Sequence, residues 1–66
     1  MPKETKFKIN DLVEVTIWEK DEDRLNWIIT GFASNGAEAV LRHIFTRNQT
    51  IIMLTDLRHQ RKAVQK

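Results

Sequence analysis

Ala37-Glu38-Ala39-Val40-Leu41-Arg42-His43-Ile44-Phe45 is the stretch on which the fold turns. Two periodicities fit it. Ala37, Val40, Leu41, Ile44 and Phe45 recur at i, i+3, i+4, i+7 and i+8, the apolar stripe of an amphipathic helix. Asn35, with Glu38 three residues on, could cap that helix reciprocally. Alanine, leucine and arginine favour it by propensity. Against the helix, the segment is short and directly follows Asn35-Gly36. That dipeptide is a strong hairpin signal, because a type I′ turn needs positive φ at both central residues. On this reading Glu38 to Phe45 pairs back on the strand before it. The turn tips the reading to a strand. A helix over about 36–46, packed on a three-stranded antiparallel sheet, is the α+β alternative.

Working upstream, Leu12-Val13-Glu14-Val15-Thr16-Ile17-Trp18 alternates Val13, Val15 and Ile17 with Glu14, Thr16 and Trp18. Its β-branched content and period of two predict a strand with one buried face. Asn10-Asp11 is a turn signal before it. Glu19 to Arg24 is a charged loop with nothing to bury. Leu25 to Ala33 reads as a second strand containing Trp27, Ile28, Ile29, Thr30 and Phe32, with Gly31 marking a bulge or bend. Downstream, Asn48-Gln49 turns into a strand over Thr50 to Leu54. Thr55-Asp56-Leu57-Arg58 then forms a short helical turn feeding a last strand or a tail. Val13, Val15, Ile17, Ile29, Leu41, Ile52 and Leu54 are the expected core. The organisation is a flexible basic arm over 1–9, one small β domain over 10–58, and a flexible basic tail over 59–66.

Laid end to end, these pieces resemble an SH3-like small barrel of the Tudor or agenet kind. The residues that carry the resemblance are Asp11-Leu12-Val13-Glu14-Val15, Trp27-Ile28-Ile29, Asn35-Gly36 and Thr55-Asp56-Leu57-Arg58. It covers about residues 10–58 and implies a mainly β, five-stranded barrel, whose closure would remove exposed strand edges. It also implies an aromatic cage at the barrel mouth, holding a methylated cation by cation–π attraction. Trp18, Trp27 and Phe32 are the aromatic surface candidates. A full cage commonly uses tyrosine, which this chain lacks.

Composition narrows the function. The chain has 66 residues, no cysteine and a formal net charge of +2. Disulfide staples, thiolate metal sites and cysteine nucleophiles are excluded. A small unstapled domain with no signal peptide and no long apolar run is expected in the cytoplasm, with no membrane contact. Its two glycines, Gly31 and Gly36, fit no phosphate-cradling loop. Asp21-Glu22-Asp23 lacks the glycine and later glutamate of a calcium loop, and His43 and His59 make no metal-ligand spacing. Ser34 has no histidine beside it in sequence. The equally short type II dihydrofolate reductases use a V-Q-I-Y run where this chain reads Thr50-Ile51-Ile52-Met53. No enzyme activity, cofactor or metal is expected.

Two binding readings remain. Six acids crowd Asp11 to Asp23, whereas Arg42, Arg47, Arg58, Arg61, Lys62 and Lys66 dominate the C-terminal part. Arg42, Arg47, Arg58, Arg61 and Lys62, aided by Lys6 and Lys8, are the expected nucleic-acid-binding residues. The alternative is a protein-interaction module or homodimer. Trp27, Ile28, Ile29, Ile44, Phe45, Ile51, Ile52 and Met53 are too many large apolar groups for one small interior.

Overall fold

The computed structural model describes residues 7–64. The part of the basic arm that holds Lys3 and Lys6, and the tail residue Lys66, lie outside these residues. Five strands form one antiparallel sheet: β1 (Leu12–Val15), β2 (Trp27–Ala33), β3 (Glu38–His43), β4 (Gln49–Met53) and β5 (Leu57–His59). The spatial order is β4-β3-β2-β1-β5. β4 and β5 are the two ends and share no ladder, so the sheet is open where a closed barrel was expected.

Within residues 37–45, Glu38–His43 is a strand with Ala37, Ile44 and Phe45 outside it, and the helical alternative is overturned. Ala39, Leu41 and His43 point inward with period two, while Glu38, Val40 and Arg42 point outward. The inward run pairs Leu41 with Ile29 on β2 and Ala39 with Ile52 on β4. Burial of Ala39 and Leu41 from both neighbours outweighs the helical propensity of the segment. The preceding connection is not the two-residue hairpin expected. Ser34, Asn35 and Gly36 take φ of 52, 57 and 91°, and Ala33 pairs with Glu38. The connection therefore runs Ser34 to Ala37, closed by Ala37 N–H donating to the Ser34 carbonyl at 3.1 Å. The Gly31 bulge is real: the ladder passes from Ile29–Leu41 to Gly31–Val40, leaving Thr30 as the extra residue.

The core contains Val13, Val15, Ile29, Leu41 and Ile52 as expected, joined by Phe7, Trp27, Ala39 and Leu57. Leu54 is only half-buried at its edge. Ile17 is a correction, being 56% exposed. β1 stops at Val15 because both the N–H and the hydroxyl of Thr16 bond the Asp56 carbonyl, at 2.8 and 3.1 Å. That contact turns the chain before Ile17 can continue the inward alternation. Asp56 itself ends a 3₁₀ turn over Leu54–Asp56, which delivers β5 to its ladder with β1.

Two residues assigned to the flanks take part in the fold. Phe7, assigned to the arm, is buried, with its ring 4.5 Å from that of His59. His59, assigned to the tail, lies in β5 and pairs with Val13. The charged segment between β1 and β2 contains one helical turn, α1 (Asp21–Arg24), with no buried residue. Its Arg24 bonds Asp21 at 2.6 Å and also Glu14 on β1.

Candidate functional site

The ladders fix which side chains share the face turned away from the core. Three cross-strand rows result. Leu12, Ile28, Arg42 and Gln49 form the first. Gly31, Val40 and Ile51 form the second, and Ala33, Glu38 and Met53 the third. Alternation puts each of these opposite an inward residue, since direct cross-strand partners lie on the same face of a sheet. The outer face of β2, β3 and β4 is therefore apolar through its middle, with Arg42 at one end and Glu38 at the other.

Exposure is greatest on β4, where Ile51 is 53% and Met53 51% exposed. Ile28 and Val40 are half-buried beside them. A Cβ built on Gly31 would meet nothing within 4 Å, so the second row opens onto free space. β4 contributes Ile52 to the core from its other face, so Ile51 and Met53 are additional to what the fold uses. Ile44 and Phe45, also counted among the surplus apolar groups, are exposed in the loop after β3.

Of the five basic candidates, Arg42 and Arg58 are held apart by the sheet topology. Arg42 lies on the outer face of β3, and Arg58 on that of β5, with β2 and β1 between them. Arg58 donates from Nε to Glu14 Oε2 at 3.0 Å. Arg47 sits in the β3–β4 loop with φ of 65°, and Arg61 and Lys62 follow β5, all exposed. Charge over the described residues balances. The bases Lys8, Lys20, Arg24, Arg42, Arg47, Arg58, Arg61 and Lys62 match in number the acids Asp11, Glu14, Glu19, Asp21, Glu22, Asp23, Glu38 and Asp56.

Among the aromatic surface candidates, Trp27 is corrected to a core residue, 5% exposed. Its Nε1–H donates to the Asp23 carbonyl at 2.8 Å, which satisfies the indole inside. Trp18 is half-buried against the core, 5.9 Å from Trp27 between ring centroids. Phe32 is exposed on the far part of β2, where it pairs with Ala39. The three do not assemble a cage: one is interior, and Phe32 has no ring contact with either tryptophan.

Sequence reasoning missed a cavity of about 630 Å³ between α1, the β3–β4 loop and the chain after β5, lined by Asp21, Asp23, Leu25, Asn26, His43 and Phe45 among others. His43 lies beneath it, buried, with Nδ1 accepting from the backbone N–H groups of Phe45 and Thr46 at 3.2 and 3.1 Å. Acceptance at Nδ1 assigns the neutral ring's proton to Nε2. The imidazole edge meets the Trp27 ring at 88° and 5.0 Å. This histidine braces the β3–β4 loop. A histidine inside a strand pattern carries no local signal of that role.

Comparison with protein-family models, with curated proteins and with solved structures finds no match to this chain. Among the described residues, no helix is long and apolar enough to cross a membrane.

Proposed function

We propose that the chain is a non-catalytic binding domain whose working surface is the outer face of β2, β3 and β4, taking a polypeptide partner. The observation that carries this reading is the half-exposure of Ile51 and Met53 beside Val40 and Ile28. Contiguous apolar side chains gain roughly 25 cal/mol for each Å² covered by a partner. The fold does not account for them, because β4 anchors itself through Ile52. The strand order, with a 3₁₀ turn bringing β5 to β1, supports the SH3-like reading, a Tudor or agenet type of small barrel. The cysteine-free composition supports a cytoplasmic setting. Ser34 supports the non-catalytic reading, since its hydroxyl donates to Glu38 at 2.7 Å within the hairpin connection.

Panning a random peptide library and mapping the selected peptides by amide chemical shifts tests the surface. Perturbations centred on Val40, Ile51 and Met53 are expected. Perturbations confined to the cavity under Phe45 would reject it.

A second reading has one observation in its favour. Arg42, Arg47, Arg61 and Lys62 make no ion pair among the described residues, unlike Arg58. Free cations of this kind could meet the phosphates of a nucleic acid, with affinity falling steeply as salt rises. An oligonucleotide titration at low salt decides it, and no binding there removes it.

A further inference from the structure

We propose that a second copy of this chain covers the outer face, the two sheets stacking face to face about a twofold axis along the Gly31–Val40–Ile51 row. This rests on the outer-face reading above and names its partner.

The argument is the charge pattern of β3. Glu38, Val40 and Arg42 are the outward residues of one strand, with the apolar residue midway between the two charges. Glu38 and Arg42 are four residues apart, roughly 13 Å along a strand at about 3.3 Å per residue. Neither makes an ion pair among the described residues. Glu38 accepts one hydrogen bond, from Ser34, and Arg42 is exposed.

A twofold axis over Val40, in the plane of the sheet and across the strands, reverses strand direction between copies. It sets Glu38 against Arg42 of the other copy, and Arg42 against its Glu38. The same operation lays Val40 on Val40 and Ile51 on Ile51, and Met53 on Gln49. Packed sheets lie about 10 Å apart, a gap that a glutamate and an arginine side chain reach across together. Stacking in the other orientation would set like charges against each other, so charge selects the antiparallel arrangement. Gly31, lying on the axis without a side chain, lets the sheets approach at that row. The face is thus self-complementary, as an isologous interface must be.

Sedimentation equilibrium of the full chain up to millimolar concentration tests this, with circular dichroism confirming the fold of each variant. The wild type is expected to dimerise. Glu38→Arg and Arg42→Glu should each raise the dimer Kd by at least about tenfold. An equimolar mixture of the two variants should recover dimer as a heterodimer, because every contact again joins opposite charges. The chain carrying both substitutions should also recover it. A wild type that stays monomeric, single variants with unchanged Kd, or a mixture that fails to recover would each overturn the pairing. A monomer that still takes library peptides on Val40, Ile51 and Met53 would overturn the pairing while leaving the outer-face reading standing.

Discussion

Asn26 and Gln60 hold each other reciprocally across the sheet. The Asn26 backbone N–H donates to Gln60 Oε1 at 2.8 Å, and Gln60 Nε2 donates to Asn26 Oδ1 at 3.1 Å. Asn26 also grips Val64, donating from Nδ2 to its carbonyl at 2.9 Å and accepting its N–H at 2.8 Å. The residue is buried, and its φ of 73° is one that asparagine tolerates better than most side chains. One side chain therefore seats the chain after β5 against the start of β2.

Asn26→Ala removes these side-chain bonds and places a β-carbon without compensation in the left-handed region. Net hydrogen bonds contribute about 1 kcal/mol each, and the backbone adds about 1 kcal/mol. With three side-chain bonds lost, a total of about 4 kcal/mol is expected by urea unfolding. Hydrogen exchange at Val64 should accelerate, while exchange at Leu41 tracks only the global stability.

Glu14 is the second tether. It is buried on the outer side of β1, where it receives both Arg24 and Arg58. Glu14→Gln keeps the shape but leaves Arg58 without its carboxylate and Arg24 with Asp21 alone. Both arginines retain access to water, so the expected cost is about 1–2 kcal/mol, below that of a fully buried pair. Equilibrium unfolding at low and high salt checks the origin: the difference from wild type should shrink as salt rises.

Asp11 supplies a pH dependence. The Lys8 backbone N–H, donated to its Oδ2 at 2.9 Å, holds the carboxyl below its ordinary value, with partial desolvation opposing and His59 at 3.1 Å adding to the effect. A lowered folded pKa means that the folded state favours the carboxylate. The stabilisation is complete above the unfolded value of about 4 and is lost as pH falls through the folded one. Asp11→Asn should therefore lower stability modestly at pH 7, by less than about 1 kcal/mol. It should also flatten the decline below about pH 4. Urea midpoints measured from neutral to acid pH check both.

Local pattern read the strands well where one face carried β-branched residues, as at Val13 and Val15, and where a turn or bulge had its own residue, as at Gly31. It failed where a distant contact intervened. Thr16 bonds Asp56, forty residues away, and that ends β1 before Ile17. Phe7 is buried by His59, and Asn26 by Gln60 and Val64, pairings with no periodic trace in the sequence. At 37–45 the inward alternation included His43, whose polarity hid the period of two behind a helical one. The proposed binding face was half legible. Surplus apolar residues such as Ile51 and Met53 are what the proposal starts from, and Glu38 and Val40 joined it only once the ladder placed them in line with Arg42.

The central claim is that the outer face of β2 to β4 serves binding and not folding. Replacing Ile51 and Met53 together by lysine tests it most directly, by thermal unfolding at micromolar concentration alongside uptake of the selected peptides. The account predicts a stability within about 0.5 kcal/mol per substituted site of the wild type, as for ordinary surface positions, and loss of peptide uptake. Uptake unchanged in the folded double variant would contradict it.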